Sequence, residues 1–369
     1  MAKYNHFIIT GGAGFIGSHL ARAVASKGAT VDVVDNLSRP GTRQNLELLL
    51  RDYPSIRFRN EDIRDGAALV RVLSEAPRGK SALFHQASQV AVTTSIAKPR
   101  LDFEVNALGT FNVLEAVREV DRSIPVVYPS TNKVYGGMEE VGIAFDPSAE
   151  WYAYKDGRAG IDESQPLDFH SPYGCSKGAA DQYCRDFHRI YKMPTVVFRQ
   201  SCIFGTHQLG IEDQGWVAWF AIASLLDRRI TVYGDGYQVR DVLWIDDLVA
   251  LYERAVERIE TAAGQVYNVG GGPNQRLTLR RLLVLLEKLG HHHPHVGYAD
   301  WRPGDQRAYY SNISKARREL DWDPKTGPEE GVRRLHAWVA AHRGLLEEVL
   351  EKLAPHRAVE QARREAAGG

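Results

Sequence analysis

Thr10-Gly11-Gly12-Ala13-Gly14-Phe15-Ile16-Gly17 separates a β-type apolar run, residues 6–10, from a helix-period stretch, residues 15–27. The octapeptide satisfies two glycine spacings at once, Gly11, Gly14, Gly17 and Gly12, Gly14, Gly17. The physical reason for such spacing is steric. Glycine permits the tight turn and lets a pyrophosphate approach the backbone N–H groups of a helix N-terminus, where partial positive charge lies. A glycine triplet alone is equally a plain loop, so its surroundings decide. The next apolar run, 30–35, ends in Asp35, 18 residues after Gly17, where a carboxylate accepts from the hydroxyls of an adenosine ribose. That carboxylate repels a 2′-phosphate. The pattern therefore implies NAD rather than NADP, with the nearby cation of Arg39 pulling the other way. Asp62-Ile63, after the third run, stands where adenine would lie, or Asp62 simply forms a turn.

Outward from this turn the chain alternates. Strand-like runs at 6–10, 30–35, 56–60, 81–87, 125–131 and 194–199 are interleaved with helical patterns at 15–27, 43–53, 67–75, 102–120 and 176–191. Such alternation predicts βαβ units and a Rossmann-type α/β fold, a doubly wound parallel sheet with ligands at the carboxyl ends of its strands. Past residue 205 the regularity weakens. Helical stretches at 216–226, 246–257 and 278–289 surround an apolar run, 230–233, and the turn Gly234-Asp235-Gly236. The expected organisation is an NAD-binding region, 1–205, with an interleaved return near 240–270. A smaller mixed α/β substrate domain, mainly 206–340, and a helical tail, 341–369, follow. The tail reads as a solvated or oligomer-contacting helix. The insert 136–171, rich in Gly, acidic and aromatic residues, reads as a long loop over the site.

Composition removes several function classes. Lys+Arg and Asp+Glu both total 46, so no global field attracts nucleic acid or a membrane, and an anionic ligand must be caught locally. Cys175, Cys184 and Cys202 form neither a CxxC pair nor an even framework, which suits a reducing compartment. The N-terminus runs into a strand-like stretch without a basic, apolar leader, and no apolar run approaches the ~20 residues of a spanning helix. A soluble cytoplasmic protein is expected. The run His291-His292-His293-Pro294-His295 lacks carboxylate or Cys ligands, and reads as a loop rather than a metal site. Trp151-Tyr152-Ala153-Tyr154 reads as an anchor for the insert.

Two further motifs carry chemistry. Tyr173-Gly174-Cys175-Ser176-Lys177 places a tyrosine and a lysine at i, i+4, on one helical face. An unperturbed phenol titrates near ~10. A neighbouring ammonium and a positive nicotinamide ring favour the phenolate, which could then take a proton from a substrate hydroxyl; the pair alone is more often structural, and gains weight from sharing a chain with the glycine turn and a second motif. Pro129-Ser130-Thr131-Asn132-Lys133-Val134-Tyr135-Gly136 ends the fifth run, where a hydroxyl either bridges substrate and tyrosine or merely caps the strand end.

These motifs, with Asn106 in Val-Asn-Ala-Leu-Gly-Thr, resemble the extended short-chain dehydrogenase/reductase family of nucleotide-sugar enzymes. Three stretches, 130–136, 167–183 and 213–217, resemble its carbon-2 epimerases of CDP-sugars, the CDP-tyvelose 2-epimerase type, and the likeness runs from about Lys3 to Trp338. The resemblance implies Thr131 as catalytic hydroxyl, Tyr173 as acid/base and Lys177 as its partner and a ribose contact. It implies cofactor contacts from Gly11, Gly14, Phe15, Ile16, Gly17, Asp35, Asn36, Ser38, Arg39, Asp62, Ile63, Gln86, Ala87 and Asn106. Substrate contacts are implied for Ser95, Thr131, Asn132, Cys202, Arg240, Arg302 and Tyr309, the two arginines because guanidinium forks suit diphosphate oxygens. A homo-oligomer is implied as well. Cys202 and Gln200 occupy a segment where many relatives carry a substrate-binding Asn.

Several reactions share this scaffold. A 4,6-dehydratase needs an acid and a base beside the tyrosine, and the family places an Asp-Glu pair where this chain has Asn132-Lys133. Asn is no acid and Lys133 has the wrong charge type, so dehydration is disfavoured. Epimerisation needs one hydride acceptor, one base and a pocket in which a keto sugar presents its other face. Resemblance favours carbon 2 of a CDP-hexose. The alternatives are a UDP-sugar 4-epimerase and a non-catalytic NAD-sensing scaffold, which would not need Thr131, Tyr173 and Lys177 together.

Overall fold

The computed structural model describes residues 3–352, apart from 211, 213, 303 and 304. His6–Thr10 (β1) is buried along its whole length, and its side chains alternate between two cores. Phe7 and Ile9 enter one with Val33, Phe84, Val127 and Phe198; Ile8 enters the other with Val34, Leu83, Val126 and Tyr128. A strand covered on both faces reads as a continuous apolar run, which is the pattern of the sequence here.

Around β1 lie Thr30–Val34 (β2), Arg57–Arg59 (β3), Ser81–His85 (β4), Val126–Thr131 (β5), Thr195–Gln200 (β6) and Val266–Val269 (β7). They form one seven-stranded sheet in the order β7-β6-β5-β4-β1-β2-β3, parallel at every pair. Helices Phe15–Ala25 and Ile245–Glu257 cover one face through Leu20, Leu248 and Tyr252. Helices Gly66–Ser74, Gly109–Val120 and Ser171–Tyr191 cover the other through Leu69, Leu114 and Ala180. The strand order reverses between β1 and β4, and a crevice opens there at the carboxyl ends. The doubly wound parallel sheet expected from the alternation is the fold observed.

Several local expectations need correction. The helical pattern at 102–120 is broken into Pro99–Phe103, a π-helical turn at Glu104–Leu108, and Gly109–Val120. Helix Ser171–Tyr191 begins five residues before the expected 176, with a proline in its first turn, where the missing N–H costs nothing. The strand pattern does not single out β7, which is only four residues long.

The insert is not a loop over the site. Its strands Ile143–Asp146 and Trp151–Tyr154 pair antiparallel. Val141, Tyr154 and Ile161 share a third core with Tyr135, Tyr309 and Tyr310. The Trp151 ring lies under the guanidinium groups of Arg276 at 4.2 Å and Arg281 at 4.4 Å, so residues 151–154 anchor the insert. The tail also differs from expectation. Residues 343–352 are helical and bury Leu346, Val349 and Leu350 in the main core; the rest of it, 353–369, lies outside the described residues. In the histidine run, His292 bonds the carbonyls of Ser224 and Gly290 at 2.9 and 3.0 Å. Among the described residues no helix is long and apolar enough to cross a membrane.

Candidate active site

A cleft of about 440 Å³ opens where β1, β2, β4 and β5 end. Its floor is the glycine turn. Gly11 holds φ at +66°, and a Cβ there would fall 2.4 Å from the Ala87 backbone nitrogen. A Cβ on Gly17 would fall 2.2 Å from the Gly11 carbonyl oxygen. Helix Phe15–Ala25 starts at Gly14 with no side-chain cap and no acidic residue in its first turn. The open N–H groups and the bare backbone fit a pyrophosphate, which is the test a dinucleotide site must pass.

Asp35 sits one residue past β2, its carboxylate accepting from Leu37 N at 2.8 Å and Ala13 N at 3.1 Å. Burial pushes this carboxyl up, against those two N–H groups. Asn36 donates to Asp62 at 2.9 Å. Arg64 holds Asp62 down at about 2, and its backbone N–H donates to the same carboxylate at 2.9 Å, so Asp62 both forms its turn and lines the cleft. Phe15, Ile16, Ser38, Arg39, Ile63, Gln86 and Ala87 line it too. The Gln86 amide itself is tied to the Tyr252 hydroxyl at 2.9 Å. The exposed Arg39 reaches over to Gln214.

Asn106 departs from its expected role, because it does not line the cleft. The π-helical turn directs it inward, where it is buried. Its amide accepts from Gln89 N and donates to Gln89 O, both at 2.9 Å, and donates to Asp102 at 3.1 Å. Asp102 also takes bonds from the Gln89 amide at 2.8 Å and from Ser176. Asn106 thus braces the loop after β4 against helix Ser171–Tyr191, and acts through backbone rather than by contact.

The three expected catalytic groups converge on the cleft. Thr131 ends β5, and Tyr173 and Lys177 stand one turn apart on their helix. The Tyr173 phenol is pushed up to about 12 by burial, against a hydrogen bond with Thr131. Burial brings the Lys177 ammonium down to about 7, and it lies 4.3 Å from the centre of the Tyr128 ring. Here the expectation of a depressed phenol is corrected. In the ligand-free protein, desolvation outweighs the Thr131 hydrogen bond and the Arg39 charge at the phenol, and each group is driven towards its neutral form. Behind them Asp181 pairs with Arg199 at 2.9 and 3.1 Å, fixing the helix to β6.

On the far wall lie Asn132, Lys133, Gln200, Cys202, Gln208, Gln214 and Trp216. The Cys202 thiol accepts from the Trp216 indole at 3.4 Å, and burial raises it. Four expected substrate contacts do not line this cleft. Ser95 is fully buried and donates to the Val92 carbonyl at 2.7 Å. Tyr309 is buried against Tyr135. Arg302 stacks on the Tyr233 ring at 3.9 Å. Arg240 pairs with Asp305 at 2.7 Å, next to Lys133. Arg240 and Tyr309 are register partners on adjoining strands, so these two are brought together. Of the resembling stretch 213–217, residue 213 lies outside the described residues, as do Pro303 and Gly304 beside Arg302.

Residues 8–335 match the family described as GDP-mannose 4,6 dehydratase. The chain belongs to that family. Within the family it is 40% identical over 339 residues to the CDP-paratose 2-epimerase of Salmonella typhi, covering 90% of this chain and 99% of that one. A solved dTDP-glucose 4,6-dehydratase from Streptomyces venezuelae, with NAD bound, superposes at a TM-score of 0.79 with 29% identity, over 93% and 99% of the two chains. The UDP-glucose 4-epimerase of Thermus thermophilus, in complex with NAD, gives 0.76 and 30% over 90% and 98%.

The sequence reading of this family member passes over Lys133, Gln208, Gln214 and Trp216 as site residues. Gln214 and Trp216 lie in the stretch 213–217 that carries part of the resemblance, which assigned them no contact, and Gln208 follows β6 in an irregular stretch with no motif to flag it. Lys133 did carry a signal, as a cation where the family's dehydratases carry an acid.

Proposed function

We propose that this chain inverts carbon 2 of a CDP-hexose, oxidising it transiently to a 2-keto sugar and reducing it again from the other face. The observation that carries the reading is the convergence of Thr131, Tyr173 and Lys177 over the glycine turn, in a chain so similar to a CDP-paratose 2-epimerase. Bound NAD supplies the two-electron acceptor that takes and returns hydride. Gly11, Gly14 and Gly17 hold its pyrophosphate and Asp35 its adenosine ribose.

Tyr173 takes the proton of the carbon-2 hydroxyl, and Thr131, hydrogen-bonded to the phenol, shares it. At rest the buried phenol keeps its proton. Positive charge beside it, with Arg39 among the protein groups, favours the phenolate when substrate is present. The keto sugar turns in the pocket, and Tyr173 returns the proton to the new alkoxide. No net redox change remains. Asn132 and Lys133 provide no acid/base pair for loss of water, which supports epimerisation over dehydration.

Proton NMR of CDP- and UDP-hexoses incubated with the protein, without added reductant, tests this. An anomeric coupling that reports inversion at carbon 2, with CDP-sugars preferred, is expected. Inversion at carbon 4 of UDP-sugars would replace the substrate reading, and no change with any sugar would leave an NAD-sensing scaffold.

We also place the enzyme in the cytoplasm, in keeping with its three unpaired cysteines, and as a homo-oligomer. Ile96, Phe103, Leu108, Tyr183 and Ile190 are exposed on adjoining helices, an apolar surface of the kind that subunit contacts cover. Light scattering after gel filtration checks the oligomer.

A further inference from the structure

Lys133 is an unassigned cation in the cleft wall. It lies two residues past Thr131, in the 3-10 turn Asn132–Tyr135, and its backbone N–H donates to the Thr131 hydroxyl at 3.2 Å. The charged groups that influence its ammonium are Arg240 and Asp305, with the Cys202 thiol beside them. Asp305 is already committed to Arg240 at 2.7 Å. Among the described residues the Lys133 ammonium has no acceptor or carboxylate of its own, and burial lowers its affinity for a proton. A half-buried ammonium left unpaired beside a second cation is complemented by an anion from a ligand.

In a nucleotide sugar the anion closest to the ring is the phosphate on the carbon-1 oxygen. Carbon 2 is bonded to carbon 1, whereas carbon 4 lies across the ring. Where the phosphate is held relative to Thr131 and Tyr173 therefore selects which carbon reacts. A grip close to the pair presents carbon 2, and a grip one ring-width away presents carbon 4.

We propose that Lys133 selects the reacting carbon, its ammonium gripping the sugar-proximal phosphate beside Thr131 and Tyr173 so that carbon 2 meets the hydride acceptor. This rests on the carbon-2 reading above. The side chain forms no bond with the substrate that breaks or moves electrons; it sets register.

Two measurements test it on the full chain, with Lys133→Met, Lys133→Gln and Lys133→Arg. The first is calorimetric binding of CDP and of CMP, which lacks the second phosphate. Lys133→Met should weaken CDP about tenfold or more, the scale of one charge-assisted hydrogen bond, and leave CMP within about twofold; a general structural defect would weaken both. The second quenches turnover of a CDP-hexose with borodeuteride and locates the deuterium by NMR. The wild type should carry it at carbon 2, Lys133→Arg likewise, and Lys133→Met and Lys133→Gln should raise KM more than they lower kcat and spread the label to carbon 4. Unchanged CDP binding together with label confined to carbon 2 in Lys133→Met overturns the assignment of Lys133 alone. Label at carbon 4 in the wild type overturns the carbon-2 reading itself.

Discussion

Replacing Lys177 by Met should change how stability depends on pH, and by an amount the structure sets. Lys177 is 2% exposed, and burial brings its ammonium down to about 7, with Cys184, Asp102 and Asp181 pulling it back up. In the unfolded chain the same group titrates near ~10.4. Between those values the unfolded chain binds the proton and the folded chain does not. The unfolded state then holds more protons, so stability rises with pH through the window from about 7 to about 10. Below it both states are protonated and the cost of burying the charge is felt in full. From pH ~7 to ~9.5 the gain is roughly 2.5 pH units at about 1.36 kcal/mol each, or about 3 kcal/mol. Lys177→Met has no such group. Urea unfolding of the ligand-free proteins, followed by tryptophan fluorescence at both pH values, should show the variant more stable than wild type at pH 7 and the gap closing by about 3 kcal/mol at pH 9.5. Other titrating groups are common to both proteins and cancel in the difference. A gap independent of pH would refute the buried, neutral-leaning lysine. The variant should also turn over poorly at either pH.

Tyr173→Phe removes the proton acceptor and should slow epimerisation by about 10²–10⁴ while dinucleotide still co-purifies; near-normal NMR rates would contradict the mechanism. Gly11→Ala puts a Cβ 2.4 Å from backbone at φ +66°, a conformation that costs about 1–2 kcal/mol before any clash. The purified variant should have lost the dinucleotide absorbance of the wild type. Asp181→Asn strands the buried Arg199 guanidinium and should destabilise by about 3–5 kcal/mol in urea unfolding. Adding Arg199→Met should restore much of that loss, and no recovery would show that the pair is not the cause.

Much of the site was legible because its signals are local. A turn that must pass backbone against backbone demands glycine at Gly11 and Gly17 whatever surrounds it. Strands buried on both faces demand apolar runs. Two side chains four residues apart on a helix share a face, which joins Tyr173 to Lys177 even with the helix start misread by five residues. Asn106 was legible as important but not as a brace, because its direction depends on a π-helical turn. Nothing in residues 104–108 announces one. Ser95 and Tyr309 were misdirected for a related reason: a residue type suited to a ligand is equally suited to a buried hydrogen bond or a ring stack.

By itself, then, the sequence determined the strand-turn-helix that cradles a dinucleotide and the parallel sheet behind it, which follow from backbone sterics and short-range periodicity. It also placed Tyr173 and Lys177 on one helical face, while the roles proposed for them and for Thr131 came from the family resemblance. Only the tertiary structure decided their proton affinities and the far wall. Tyr173 is driven up and Lys177 down by elements that exclude water from both. Lys133 meets Arg240, more than a hundred residues away in the chain. Desolvation and Coulomb energy depend on distance in space, and separation along the chain carries no record of it.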